Sequence, residues 1–267
     1  MQPLYRPLQP EMSAPDNRVV YREYHPSLSL SPYISCYWTL HSACANPDFL
    51  YHAVPDACVD IFINFARYDH CLLVGIASKA VSAPVDAGCD YFGVRFLPGQ
   101  IGAFFLLPAA EIHDRAIDFR DLAGGEFAET EKRLIAARSL SERILLIESF
   151  LFRRLAGRFC PCDDRFQKTL VNIYTHGGMK SVKELSDDAS LSTRQLDRLF
   201  STNLGLRPKM FSRIIRFQNT LRFILSSPRR LTDAALDCGY YDQSHFINEF
   251  ARIYGKKPQL RNFHLHV

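Results

Sequence analysis

Hydrophobic and polar positions fall into three successive regimes along the chain. From Val19 to about Leu97, short runs rich in β-branched and aromatic residues alternate with turn residues, the pattern of strands. Tyr33–Trp38, Cys58–Phe65 and Tyr91–Phe96 are the clearest examples. They predict a compact, mainly β domain of sandwich or barrel-like type. Between Glu126 and Arg158 the period lengthens: Leu134, Ile144, Leu145, Ile147, Phe150, Leu151 and Leu155 recur at helical spacing. A pair of helices is expected there, with Ser141 as N-cap ahead of Glu142 in the second. Its apolar stripe either covers the β domain or meets a second subunit. Gly157–Pro161 reads as a break.

Beyond the break the whole pattern is helical. Asp163 or Asp164 can cap a helix that ends near Gly177-Gly178, and shorter helices follow, punctuated by Ser192, Gly205, Pro208, Pro228, Gly239, Asp242, Gly255 and Pro258. The predicted fold class is therefore α+β. Residues 1–125 form a β-rich domain, 126–162 a helical linker suited to dimerisation, and 163–267 an all-α domain.

An internal repeat lies within the last region. Leu196, Phe200, Gly205 and Pro208 match Phe246, Phe250, Gly255 and Pro258, each at an offset of 50 residues. A short helix, a tight turn and a cap precede each set: Val182–Asp188 before Ser192, and Thr232–Cys238 before Asp242. Short helix, turn and capped second helix is the arrangement of a helix-turn-helix, here present twice. In the first unit Leu196, Leu199 and Phe200 point inward, leaving Arg194, Gln195, Asp197, Arg198 and Ser201 outside. In the second, Phe246, Phe250 and Ile253 form the inner face. Gln243, Ser244, His245, Asn248 and Arg252 face outward, with Ile247 at the margin.

These outward residue types suit base reading. Arginine donates two bonds to guanine, glutamine or asparagine pairs with adenine, aspartate accepts from cytosine, and an apolar side chain can touch a thymine methyl. Between the units, Phe211, Ile214, Ile215, Leu221, Ile224 and Leu225 make one apolar stripe of a connecting helix. About seventeen residues give a rod of roughly 26 Å, comparable with one DNA turn of roughly 34 Å, so one chain can enter successive major grooves. Ser192, Lys209, Arg213 and Arg252 are candidate phosphate contacts, with Arg216 and Arg222 further along the rod. An ordinary solvated helix face is the competing explanation for each such polar stripe.

Charge sharpens this picture. From Asp163 onward the chain carries 17 Lys+Arg against 10 Asp+Glu, whereas the preceding residues carry 15 against 18. A basic C-terminal portion beside a slightly acidic N-terminal one points to a polyanion partner for the former, and together with the base-reading residues the expected partner is double-stranded DNA. The eight cysteines are scattered, and Cys160-Pro-Cys162 lacks the second pair that a structural zinc site needs. The histidines show no close ligand spacing: His25, His41, His52, His70 and His113 lie far apart, and His264 and His266 sit at the end of the chain. Neither metal nor cofactor is expected, and no nucleophile elbow, P-loop or dinucleotide fingerprint suggests an enzyme. Without a signal peptide or an apolar run long enough to span a bilayer, a cytoplasmic location with no membrane partner is expected. Asp60 and Arg95, polar within apolar strands, form either a regulatory pocket pair or a buried structural salt bridge.

The stretch from about Phe166 to Arg261 resembles the DNA-binding domain of the AraC/XylS family of bacterial transcription regulators. Its most specific portion is Asp233-Ala-Ala-Leu-Asp-Cys-Gly-Tyr-Tyr-Asp-Gln-Ser-His-Phe246, continuing through Phe250, Gly255 and Pro258. The resemblance implies that Arg194, Asp197, Arg198, Gln243, Ser244, Ile247 and Asn248 contact bases. Two departures are Ser190, where the family commonly has glycine, and Leu260-Arg261-Asn262, where an aromatic-Arg pair is usual. The N-terminal region is similar to the sensor-side domain of some members, through Val54–Ile61, Gly93–Gly99 and Asp118–Leu122. This implies a domain regulated by a small-molecule effector or by self-association as a homodimer, and contact with RNA polymerase if the protein activates transcription. DNA-repair alkyltransferases that carry a similar segment have a Pro-Cys-His-Arg acceptor motif absent here.

Overall fold

The computed structural model describes residues 4–10, 19–42, 50–67, 71–86, 88–107, 109–156, 163–226 and 235–258. Among the described residues there are eight strands: β1 (Val19–Tyr24), β2 (Ile34–Ser42), β3 (Leu50–Ala53), β4 (Val59–Asn64), β5 (Cys71–Val74), β6 (Val81–Pro84), β7 (Asp90–Phe96) and β8 (Ala116–Asp118). They form a six-stranded antiparallel sheet in the order β1-β2-β7-β4-β5-β8 and a separate ribbon, β3-β6. The expected mainly β domain is thus one broad sheet with a two-stranded companion. The three segments with the clearest strand pattern are its three adjacent central strands. Two of them, β2 and β7, are buried on both faces for most of their length, which is why their apolar runs are nearly continuous, while β4 alternates buried and half-buried positions over its first four residues.

Helix α1 (Ala109–Ile112) lies between β7 and β8, and α2 (Phe119–Ala123), α3 (Gly125–Ala136) and α4 (Leu140–Ala156) follow β8. Ser139, not Ser141, caps α4: its hydroxyl accepts the Glu142 amide at 3.2 Å, while Ser141 lies inside the first turn. Two serines sit within three residues, and the apolar Leu140 between them gave periodicity no means of choosing. The apolar stripe of α4 turns inward. Phe150 packs edge-on against Phe119 and Phe127, and all three are fully buried. Leu145, expected on that stripe, is 65% exposed.

The C-terminal portion contains α5 (Asp164–Thr175), α6 (Val182–Asp188), α7 (Thr193–Leu204), α8 (Pro208–Ser226) and α9 (Gln243–Tyr254). Asp163 caps α5, and the bounds of α6 are those read from the sequence. Among the described residues no helix is long and apolar enough to cross a membrane. The expected break at Gly157–Pro161, the first three residues of the helix before Asp242 (Thr232–Ala234), Cys160-Pro-Cys162, His70, Leu260–Asn262, His264 and His266 lie outside the described residues.

The β domain and the helical portion share a continuous core. Tyr5 stacks on Tyr174 of α5 with ring centres 4.9 Å apart, and its hydroxyl donates to the Asp56 carbonyl. Gln218 of α8 is wholly buried. It accepts from the Leu8 amide at 2.8 Å and donates to the carbonyls of Leu8 and Pro55. Burying an amide without partners costs about 1–3 kcal/mol, so this three-way satisfaction fixes where the N-terminal segment and the β domain meet α8.

Candidate nucleic-acid interface

Each reading helix is built from its cap inward. Ser192 and Gln195 form a reciprocal capping box on α7: the Gln195 amide donates to the Ser192 hydroxyl at 3.2 Å, and the Ser192 amide donates to Gln195 Oε1 at 2.8 Å. Asp242 caps α9 by accepting the His245 amide at 2.7 Å. Both helices end at a glycine in the left-handed region, Gly205 at φ 69° and Gly255 at φ 82°. The turn before α7 also needs a left-handed residue, and Ser190 adopts φ 53° there. Gly239 takes φ 74° in the turn before α9. The departure from glycine at Ser190 therefore changes the strain of the turn and leaves its shape intact.

The inner faces are as expected. Leu196, Phe200, Phe246, Phe250 and Ile253 are buried, and Leu199 is half-buried. Phe200 meets Phe166 and Phe211, while Phe250 meets Phe217, Phe246 and Tyr254. On the outer face of α7, Arg194, Gln195 and Arg198 are exposed and Asp197 is half-buried. On α9, Gln243, Ser244, His245, Asn248 and Arg252 are exposed and Ile247 is half-buried. The hydroxyl of Ser192 and Oε1 of Gln195 are committed to the cap, which leaves the two arginines as the strongest donors on α7. Arg198 and Gln195 also line a cleft of about 160 Å³ with Asp163 and Arg165.

The phosphate candidates divide. Lys209 and Arg252 are exposed. Arg213 is not free: its Nε donates to Glu249 of α9 at 3.1 Å, and Arg216 Nη2 lies 3.1 Å from the other carboxylate oxygen. Arg222 donates to Asn219 and to the Arg6 carbonyl. Sequence reasoning missed Glu249 and Gln218, both buried polar residues on otherwise apolar helix faces. A lone acid on the inner edge of α9, facing an i, i+3 arginine pair, was the available signal.

In the β domain, Asp60 and Arg95 are direct register partners on β4 and β7. Arg95 is 2% exposed, with its Nε 3.2 Å from Asp60 Oδ1; Asp56 and Glu23 stand at 3.5 Å. Trp38 Nε1 donates to Asp60 as well. Burial is the main influence on the Asp60 carboxyl and pushes it upward, with the Arg95 guanidinium pulling the other way. The cavity alongside, lined by Arg6, Glu23 and Cys36 among others, is about 40 Å³, room for about one water. The geometry is that of a buried ion pair with its polar atoms satisfied. Five cysteines, Cys36, Cys58, Cys71, Cys89 and Cys238, are free and buried. Burial raises their thiols, Cys71 to about 12 and Cys89 to about 11, so they stay protonated at neutral pH.

Comparison with known proteins now bears on this geometry. Residues 185–260, from the middle of α6 to just beyond Pro258, match the family described as Helix-turn-helix domain. Residues 22–118, nearly all of the β domain, match a family described as Domain of unknown function (DUF6597). The transcriptional activator RhaS of Klebsiella pneumoniae is 27% identical over 135 residues, 49% of this chain and 48% of RhaS. The probable transcriptional regulator LumQ of Photobacterium leiognathi is 29% identical over 103 residues, 38% of this chain and 42% of LumQ. The chain thus spans about half the length of the curated relatives it matches, or somewhat less. A crystal structure of ToxT from Vibrio cholerae aligns over 90% of this chain and 95% of its own at 10% identity and TM-score 0.41. The C-terminal portion is thus similar to the helix-turn-helix domains of known transcription regulators, and the β domain ahead of it to the DUF6597 family.

Proposed function

We propose that this protein is a sequence-specific transcription regulator that enters two successive major grooves of double-stranded DNA with α7 and α9. The observation that carries this reading is a matched pair of capped helices with apolar backs and exposed polar fronts. Both are fastened to one 19-residue helix, about 28 Å long at 1.5 Å per residue. Arg194 and Arg198 on α7, and Gln243, Ser244, His245 and Asn248 on α9, are the base-reading residues, with Asp197, Gln195 and Ile247 at the margins. Lys209 and Arg252 contact phosphates. Domain limits at 125/126 and 162/163 are part of the same reading.

Modulation through the N-terminal domain is supported by contacts of that domain with both reading units. The C-cap of α7 packs on α1, where a Cβ at Gly205 would stand 2.3 Å from the Ala109 carbonyl oxygen. At the end of α9, the Ala80 amide donates to the Ile253 carbonyl at 2.8 Å. An effector shifts DNA binding only if it favours one arrangement of these contacts over another. Self-association would use α4, where Leu145 and Phe152, seven residues apart, remain exposed.

The test is fluorescence-anisotropy titration of the protein against tiled fragments from upstream of its own and neighbouring genes, at two salt concentrations. One fragment bound far above the rest, with affinity falling as salt rises, is the expected result. Arg198→Ala should then weaken that fragment by about 1–3 kcal/mol and relax preference at one base position. Equal affinity of parent and variant for cognate and scrambled DNA would sink the assignment.

A further inference from the structure

Glu249 is a charged side chain on the inner edge of a reading helix, 9% exposed. Such burial is costly for a carboxylate unless opposite charges compensate it. Two do. Arg213 and Arg216, three residues apart on one face of α8, place Nε and Nη2 each 3.1 Å from a different Glu249 oxygen. His245, one turn before Glu249 and on the reading face, has Nε2 3.7 Å from the same carboxylate. Arg216 also lies over the ring of Tyr240 in the preceding turn, 5.2 Å from its centre. A single carboxylate therefore joins the connecting helix to the second reading helix at the border of the outward face.

The arginines differ from the other cations of the domain. Arg213 and Arg216 are 19% and 15% exposed, whereas Arg194, Arg198, Lys209 and Arg252 are exposed. An arginine beside a reading face would ordinarily be available to a phosphate oxygen. Here one nitrogen of each guanidinium group already lies 3.1 Å from the carboxylate, within the range a phosphate oxygen would otherwise take.

We propose that Glu249 is a positioning residue that sets the angle of the second reading helix and holds Arg213 and Arg216 off the DNA backbone. The proposal rests on the DNA-reading function above and deepens it. It assigns Arg213 to orientation in place of phosphate contact. Sequence discrimination at the second half-site is thus bound to an internal ion triad, and total phosphate contact is kept low.

The experiment measures affinity against salt concentration for the best-bound upstream fragment and for the same fragment scrambled under α9. For Glu249→Gln, which keeps the side-chain shape, the plot of log affinity against log salt should steepen by about 0.9 for each arginine released to a phosphate. Discrimination between the two fragments should fall about tenfold. Arg213→Met should also lose discrimination but leave the slope where the parent has it, because no phosphate contact is removed. A Glu249→Gln slope equal to that of the parent overturns the proposal, as does an Arg213→Met slope shallower by about 0.9. If Glu249→Gln fails to fold, the Arg213→Met slope decides alone. A parent that binds all fragments alike refutes the DNA-reading function itself and this inference with it. A discriminating parent with variants of unchanged slope refutes only the role of Glu249.

Discussion

The two helix-turn-helix units repeat one framework at a 50-residue offset yet are fastened in different ways. The first is secured largely by neighbours in sequence. Capping boxes at Ser181/Glu184 and Ser192/Gln195 begin its two helices, and Asp188 accepts from Asn172 and Lys180. The second relies on distant partners: Glu249 on Arg213 and Arg216, Ile253 on Ala80, and Tyr254 on the His52 ring at 5.0 Å. Repetition of the apolar skeleton therefore does not repeat the environment. The same helix pair can be closed mainly by local hydrogen bonds or mainly by ties across the molecule, although the first unit too meets another element, α1, at Gly205.

The skeleton itself should not distinguish the units. Phe200 and Phe250 are both wholly buried among aromatic rings. Phe200→Ala and Phe250→Ala are each expected to cost about 3–5 kcal/mol through lost burial and a residual cavity. Urea midpoints at constant slope would measure this. A difference of more than about 2 kcal/mol between them would show that the repeat is a likeness of sequence and not of packing.

The C-cap glycines should separate them. Gly205 and Gly255 hold the same left-handed conformation, so alanine costs about 1–2 kcal/mol at either on backbone grounds. At Gly255 nothing lies within 4 Å of an added Cβ, whereas at Gly205 the Ala109 carbonyl oxygen would be 2.3 Å away. Gly205→Ala must therefore displace α1 or α7, adding about 1–3 kcal/mol of overpacking. It should also lower DNA affinity more than Gly255→Ala does. Equal unfolding midpoints for the two variants would mean that the β domain yields freely at the first unit.

How much of this could be read from the chain alone follows from the range of the interactions. The repeat, the bounds of α6, the Ser192 and Asp242 caps and the central strands β2, β7 and β4 all rest on local periodicity or on residues within four positions of each other. Those were legible. Arg213 looked like a phosphate contact because its partner Glu249 is 36 residues away. Gln218 drew no attention in the sequence, since its partner Leu8 stands 210 residues earlier. Side-chain pairing across such separations leaves no periodic trace. The single sheet with its β3-β6 ribbon was likewise beyond a strand pattern that predicts elements but not their neighbours.

The N-caps offer the smallest effect and the finest comparison. Ser192 begins α7 as a neutral cap, while Asp242 begins α9 as a charged one, and both are exposed. Serine and aspartate are comparable caps, so exchanging them leaves the hydrogen bond to the helix in place. The charge remains as the difference: it interacts favourably with the N-terminal end of the helix dipole by about 0.3–1 kcal/mol. The same charge repels a phosphate that approaches that end. Asp242→Ser should therefore lower stability by a few tenths of a kcal/mol to about 1 kcal/mol and raise DNA affinity, whereas Ser192→Asp should do the reverse. Thermal midpoints and anisotropy at low salt measure the two quantities on the same samples. Opposite movement in both variants places both helix starts beside the DNA backbone. If Asp242→Ser leaves affinity unchanged while Ser192→Asp lowers it, only α7 approaches the backbone with its first turn, and the second unit reads from further along its helix.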